Sequence, residues 1–256
     1  CGVHFMGETS KILCPDKKVL VPDLEATCSL AESCPADKFA EFVAQHPDHT
    51  VISYVNTTAA TKAVTDIVVT SSNARQIVES LPQDTPIIFG PDRNLGGYIN
   101  SITGRNMLLW DGACHVHEKF SVEKIIELKN QYPEAKLLVH PECKGAVVKL
   151  ADKVGSTAAL LQYSIKDSAN VFIVATESGI LHEMQKACPE KTFIPAPPSD
   201  STCACNECSY MKLVTMQKLY DCLLNESPEI HVDAEVAEKA ILPINRMLEI
   251  SEKLGL

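Results

Sequence analysis

The chain has 256 residues, of which 45% are apolar, and it carries a formal net charge of −10. This length and apolar content allow a sizeable buried core and one to three domains. The acidic balance, with no dense run of Lys and Arg, argues against nucleic-acid binding. No apolar run approaches the roughly 20 residues that span a bilayer and no secretory leader is recognisable, so we expect a cytoplasmic protein without a membrane partner.

Cysteine is unusually frequent, with eleven residues in the chain. In a reducing compartment, cysteines serve as metal ligands or buried side chains more often than as disulfides. The cysteines therefore direct attention to a metal or cluster site.

The elements predicted in chain order alternate between short apolar strands and helices. Residues 1–9 are predicted to be the end of a buried strand that continues into a helix. Further strands are predicted at 19–21, 51–55, 86–89, 107–110, 136–140, 171–175 and 192–195, and helices at 36–45, 122–131 and 147–154. Continuous apolar strands separated by helices indicate parallel sheets covered on both faces, so the predicted class is α/β.

An internal repeat with a period near 86 residues is the most informative pattern. Cys28 precedes Tyr54 by 26 positions, and Cys114 precedes His140 by the same interval. The repeat predicts similar three-layer αβα domains with short parallel sheets around a pseudo-threefold axis. The expected boundaries are 1–24 for an incomplete first domain, 25–110 for the second domain and 111–198 for the third. Residues 199–256 would carry a third ligand loop and C-terminal helices that complete the first domain.

One loop cysteine stands at the equivalent place of each predicted domain: Cys28, Cys114 and Cys208. Open parallel sheets bind ligands beyond their carboxyl ends, where these loops lie. Thiolates favour iron–sulfur chemistry or zinc. The pattern predicts a [4Fe-4S] cluster with three Cys ligands and one open iron site. A structural zinc site is the alternative, but the second ligand pair that such a site needs is missing. Cys203 and Cys205 are then expected to be neighbouring or redox-active thiols.

Polar side chains at strand ends are the candidates for acid–base chemistry. His140 and Glu142 follow one apolar strand, and Tyr54 and Asn56 hold the matching places in the other repeat. A strand-end carboxylate and imidazole can share proton transfers. Glu177, at the end of another strand, is a further candidate, as a substrate-binding residue. His4, Glu8 and His117 are interpreted as lining the cavity or its rim.

Two hydroxyl-rich segments, at 70–73 and 155–157, each follow an apolar stretch and precede a helical pattern. They contain Ser71 and Thr157. Helix N-capping explains such segments, and free N–H groups at helix N-termini also bind carboxylates or phosphates. Two such segments would suit a substrate with two acidic groups.

The chain resembles the quinolinate synthase A family over essentially its whole length. The resemblance rests on nine motifs in the family's order: GVHFMGE from Gly2, CSL from Cys28, SYVN from Ser53, TSSNA from Thr70, WDGAC from Trp110, HPE from His140, GST from Gly155, ATESG from Ala175 and CSYM from Cys208. It also implies an additional N-terminal segment with a His-x-Tyr motif and a substrate-binding Ser.

The resemblance implies condensation of iminoaspartate with dihydroxyacetone phosphate to quinolinate in NAD biosynthesis, with functional coupling to an L-aspartate oxidase or dehydrogenase. It implies cluster ligation by Cys28, Cys114 and Cys208, with iron acting as a Lewis acid. The cavity residues it implies are Tyr54, Asn56, Ser71, His140, Glu142 and Thr157. Glu142 is then assigned as the general base, Tyr54 as a proton relay or hydrogen-bond donor, and His140 as the group that orients the intermediate.

The competing class is a non-enzymatic iron–sulfur protein that transfers electrons or senses redox state. Electron carriers usually close all four iron sites with protein ligands, whereas this repeat supplies three. The strand-end polar residues would also have no role in such a protein.

Overall fold

The computed structural model describes residues 2–199 and 206–256. Contacts divide the chain into two compact units, Cys1–Gly112 with Ser209–Leu256, and Ala113–Cys208. Each unit contains a four-stranded sheet in which all pairings are parallel. The predicted α/β class with short parallel sheets is confirmed. The exact domain boundaries, the incomplete first domain and the pseudo-threefold axis stay predictions.

The eight strands are short and almost wholly apolar. In the first unit they are β1 (Thr50–Tyr54), β2 (Ile67–Val69), β3 (Ile87–Gly90) and β4 (Leu108–Leu109), in the order β2-β1-β3-β4. In the second unit they are β5 (Lys136–Val139), β6 (Lys153–Val154), β7 (Val171–Ala175) and β8 (Thr192–Pro195), in the order β6-β5-β7-β8. The two sheets therefore share one topology.

Helices surround both sheets. They are α1 (His4–Leu13), α2 (Ser29–Glu32), α3 (Ala36–Ala44), α4 (Ala59–Lys62), α5 (Ala74–Ser80), α6 (Arg93–Thr103), α7 (Val122–Gln131), α8 (Gly145–Val148), α9 (Thr157–Lys166), α10 (Ile180–Ala187), α11 (Met216–Asn225) and α12 (Ala234–Leu254). Among the described residues, no helix combines the length and the hydropathy needed to cross a membrane.

Successive residues of a strand point to opposite faces, and each sheet is buried on both. In the second sheet, Leu137 and Val139 pack with α7 and α8, whereas Leu138 packs with α9 and α10. In the first sheet, Ile52 packs with α5 and α6, whereas Val51 faces α3. This arrangement explains why the strands are continuous apolar runs rather than alternating ones.

The repeat extends to the register of the strands. Ile52 pairs with Ile67, and Leu138 pairs with Lys153, with both partners displaced by the same 86 positions. An aspartate before the second strand of each sheet caps the first strand. Asp66 accepts a hydrogen bond from the backbone N–H of Val51 at 2.8 Å, and Asp152 accepts one from Leu137 at 2.7 Å.

Three local predictions are wrong. Residues 19–21 are not a strand, since only Leu20 makes an isolated bridge, to Glu229. Residues 147–154 are not one helix, because α8 ends at Val148 and β6 pairs with β5. Residues 1–9 do not end a strand within the described residues, and His4 and Glu8 lie on α1 rather than on a truncated sheet.

Candidate functional site

In the first unit, the polar residues that follow β1 and β2 leave the sheet at one edge. Tyr54 pairs with Val69, so Asn56 and Ser71 follow the two strands from adjacent positions. Tyr54 is buried, whereas Asn56 and Ser71 are half-buried. This edge gathers three of the predicted cavity residues.

The predicted ligands Cys28 and Cys114, with which the two repeats begin, lie on loops. Cys28 is half-buried and precedes α2, and it packs against the core that contains Leu30. Cys114 is also half-buried and follows a tightly packed turn. At Gly112, an added Cβ would approach the carbonyl oxygen of Pro91 and the Oγ of Ser33 to 2.4 Å each. Only glycine fits there, which fixes the start of the loop that carries Cys114.

A buried group of two histidines and one glutamate occupies the carboxyl edge of the second sheet. Nδ1 of His117 lies 2.9 Å from Oε2 of Glu142. The rings of His117 and His140 stack with centroids 4.9 Å apart, and Nε2 of His117 lies 3.0 Å from Oγ1 of Thr176. Glu142 is 3% exposed and His140 is 4% exposed. The low polarity of this setting strengthens every electrostatic interaction inside it.

His140 is neutral at pH 7. Burial lowers the pKa of His140 to about 4, although the charge on Glu142 opposes that shift. The backbone N–H of Glu142 donates to Nδ1 of His140 at 3.4 Å. This contact assigns the single ring proton to Nε2. His140 can therefore orient a bound molecule as a neutral hydrogen-bonding group.

His117 is the functional candidate that the sequence left undecided. Its 2.9 Å approach to Glu142 is not an aligned hydrogen bond, so Nδ1 is buried with no hydrogen-bond partner among the described residues. Ligand atoms of Cys114, His117 and Glu142 lie within 4.8 Å of one another. A buried, unsatisfied nitrogen beside a thiol and a carboxylate is the arrangement expected where a metal or ligand completes the site. The signal in the sequence was that His117 follows Cys114 by three positions.

The described cysteines differ in a way that suits the predicted cluster. Cys28, Cys114 and Cys208 are half-buried on loops, whereas four others are buried in the cores: Cys34, Cys143, Cys188 and Cys222. Burial raises the pKa of Cys34 to about 12, so its thiol stays protonated. Cys14 is half-buried as well but stands at the end of α1. Accessible loop thiols are the type of donor that an iron–sulfur cluster requires.

The loop that carries Cys208 is fastened to the end of β7. Glu177 accepts hydrogen bonds from the backbone N–H of Gly179 at 2.7 Å and of Cys208 at 3.3 Å. The backbone N–H of Ser178 donates to the carbonyl of Asn206 at 2.9 Å. These bonds favour a role for Glu177 in holding the loop that carries Cys208, rather than the predicted contact with substrate.

The hydroxyl-rich segment at 155–157 contains both a helix-capping residue and an exposed residue. Ser156 caps α9 by accepting from the N–H of Ala159, whereas Thr157 is exposed. In the other segment, Asn73 accepts from Thr70 at 2.7 Å. Ser71 takes part in neither of these contacts. N-capping is thus confirmed for Ser156, and anion binding by Ser71 and Thr157 stays a prediction.

The predicted site residues fall into two groups by unit. The first unit contains Cys28, Tyr54, Asn56 and Ser71, and the second contains Cys114, His140, Glu142, Thr157, Glu177 and Cys208. Cys203 and Cys205 lie outside the described residues.

The pKa of His140 leads to a prediction about stability. Between pH 6.5 and about 4 the unfolded chain protonates this imidazole while the folded protein keeps it neutral. The free energy of unfolding should therefore fall as the pH is lowered through that window. Urea unfolding at pH 7, 5.5 and 4.5 measures the fall, and His140→Gln should make it shallower. An identical pH dependence in the variant would contradict a neutral, buried His140.

The chain is similar to known proteins over nearly its whole length. The family model described as quinolinate synthetase A protein matches residues 1–249. A quinolinate synthase from Microcystis aeruginosa is 59% identical over 250 residues, which are 98% of this chain and 78% of the relative. Quinolinate synthases from Thermosynechococcus vestitus and Chloroherpeton thalassium are 58% and 56% identical, with the same shares covered. The chain therefore belongs to the quinolinate synthetase A family, whose members are enzymes of NAD biosynthesis.

Proposed function

We propose that this chain condenses iminoaspartate with dihydroxyacetone phosphate to form quinolinate, phosphate and water. The observation that carries the proposal is the buried group of Glu142, His117 and His140, which adjoins the thiol of Cys114. A dehydrating condensation needs a positioned base and a site that excludes water. Both needs are met by a carboxylate that is 3% exposed at the carboxyl edge of a sheet.

Proteins of this family use an iron–sulfur cluster. We propose that Cys28, Cys114 and Cys208 hold it as a [4Fe-4S] cluster with one open iron site. Support comes from the half-buried loop positions of the three thiols and from the unsatisfied Nδ1 of His117 beside Cys114. When bound, such a cluster supplies a Lewis acid that polarises a substrate oxygen.

Glu142 is the proposed general base. Removing a proton from substrate requires the ionised carboxylate, and the nearby ring of His117 can stabilise that charge from 2.9 Å. Oγ1 of Thr176, 3.0 Å from the other nitrogen, orients the same ring. His140, neutral at pH 7, would hold the substrate through its Nε2–H without exchanging protons. Two histidines next to one carboxylate thus have different tasks, since one faces the carboxylate charge and the other is a neutral donor.

The remaining predicted residues would bind and orient the acidic groups of the substrates. Thr157 is the first residue of α9 and Ser71 lies three positions before α5, and hydroxyls and N–H groups near helix N-termini attract anions. Tyr54 is proposed as a proton relay and Asn56 as a hydrogen-bonding partner of substrate. Iminoaspartate must be supplied by oxidation of aspartate, so we also propose functional coupling to an L-aspartate oxidase or dehydrogenase.

The non-enzymatic iron–sulfur protein considered from the sequence is not favoured, because the family consists of enzymes. A single metal ion bound by Cys114, His117 and Glu142 is a second arrangement that the geometry allows, since their ligand atoms lie within 4.8 Å. The two arrangements predict different responses to substitution of the cysteines.

Replacing Cys28, Cys114 or Cys208 by Ala should abolish the brown chromophore and most of the iron of anaerobically reconstituted protein, because each removes one of three ligands. Cys14→Ala is the matched control, since Cys14 is also half-buried but stands outside the repeat positions. Iron and sulfide analysis measures the effect. Full iron content in Cys28→Ala or Cys208→Ala, with loss only in Cys114→Ala, would favour the single metal ion instead.

Glu142→Gln should lower the turnover number about 10²- to 10⁴-fold, the usual contribution of a general base, while cluster content and substrate binding survive. Gln keeps the size of the side chain but cannot accept a proton. Quinolinate formation by the holoenzyme measures the loss. Near-normal turnover in a variant with an intact cluster would rule out Glu142 as the base.

A further inference from the structure

Lys62 is a fully buried lysine next to one of the proposed substrate-binding segments. It ends the short helix α4, and 0% of its surface is exposed. Burying an ammonium group is costly unless hydrogen bonds and opposite charge compensate. Burial accordingly lowers the pKa of Lys62 to about 7, against the opposing effect of Glu8. The groups that Lys62 binds therefore indicate why this side chain is buried.

Three acceptors surround the ammonium group, and all belong to the segment after β1. Nζ donates to the carbonyl oxygen of Val55 at 2.9 Å, to the carbonyl oxygen of Thr57, and to Oγ1 of Thr57 at 3.3 Å. Oγ1 of Thr57 in turn donates to the carbonyl oxygen of Tyr54 at 3.1 Å. An ammonium has three N–H donors, so this network uses all of them.

The carbonyl groups that Lys62 binds stand on either side of Asn56. The backbone of Asn56 is thereby fixed from both ends, and Tyr54 is tied to the same network through Thr57. The ammonium also lies over the ring of Phe5, whose centroid is 5.6 Å from Nζ. Glu8, which raises the pKa of Lys62, accepts from the backbone N–H of Ala59 at 3.0 Å and so fastens the start of α4.

We infer that Lys62 is a positioning residue that holds residues 54–58 in the conformation in which Tyr54 and Asn56 meet the substrate. This inference rests on the proposed function, because it assigns a support to two residues of that site. Lys62 is not itself a catalytic residue. Its donors are all engaged with the protein, and its complete burial leaves no path by which the amine reaches a substrate.

Lys62→Met is the direct test, because Met retains the apolar stem and removes all three donors. The variant leaves the carbonyls of Val55 and Thr57 without their buried donor, which should loosen the segment. Hydrogen exchange of the backbone amides of residues 54–58 measures that loosening without any assay of activity. In the holoenzyme, kcat/KM for quinolinate formation should fall about 10²-fold, as expected when substrate contacts are displaced by about 1 Å.

Lys191→Met is the matched control. Lys191 also donates to two backbone carbonyls, of Ser164 and Asp167, each at 2.7 Å, and lies 5.5 Å from the ring centroid of Phe172. It precedes β8 and so lies at the amino ends of the parallel strands, whereas His140 and Glu142 follow the carboxyl end of β5. The control should lower stability without changing exchange at 54–58 and without the loss in kcat/KM.

Thr57→Val provides the second variant if Lys62→Met does not fold. It removes only Oγ1 from the network, so faster exchange at 54–58 and about a tenfold loss of kcat/KM are expected, the value of roughly one hydrogen bond. Iron content should match the wild type in every variant.

Unchanged exchange at 54–58 in both variants would overturn the inference. So would kinetic losses equal to those of Lys191→Met, or a borohydride-reducible adduct of Lys62 with dihydroxyacetone phosphate, which would make the amine a nucleophile. A wild-type holoenzyme that forms no quinolinate would instead refute the proposed function. The exchange measurement would still decide whether Lys62 holds the segment.

Discussion

Parallel pairing of very short strands is the constraint on which both units depend. Strands of two to five residues have little pairing energy of their own, so each sheet must be buried by helices on both faces. Parallel strands also deliver all their carboxyl ends to one edge. The polar residues that follow the apolar runs, among them Tyr54, His140 and Glu142, therefore collect at that edge. The arrangement places the candidate chemistry at the strand ends and in the loops that follow them.

Much of the fold was predictable because the chain repeats itself. The common strand order and the shared register of Ile52–Ile67 and Leu138–Lys153 follow from that repeat. The error at 147–154 shows where periodicity misleads: apolar residues at helical spacing hid a four-residue helix followed by an edge strand. The repeat itself indicates the observed structure, because α4 and β2 lie 86 positions before α8 and β6. The strand prediction at 19–21 was wrong because, among the described residues, this segment makes only one isolated bridge, between Leu20 and Glu229.

The candidate site was predictable in its strand-end residues and less so in their supports. Glu142 and His140 follow an apolar run directly, whereas the closeness of His117 to Glu142 depends on how a loop folds back over the sheet. The neutrality of His140 arises from burial, which no local pattern reveals. Lys62 was missed for a similar reason. A lysine at the end of a short helix usually points to solvent, and only tertiary contacts place its ammonium among backbone carbonyls.

We propose that thiols from equivalent loops hold a cluster and that a buried carboxylate beside one of them acts as base. Diffraction from crystals of anaerobically purified protein, collected on both sides of the iron absorption edge, tests this claim most directly. We expect anomalous density for a four-iron cluster bonded to the sulfur atoms of Cys28, Cys114 and Cys208. A single metal peak between Cys114, His117 and Glu142, with no density at the other two thiols, would contradict it.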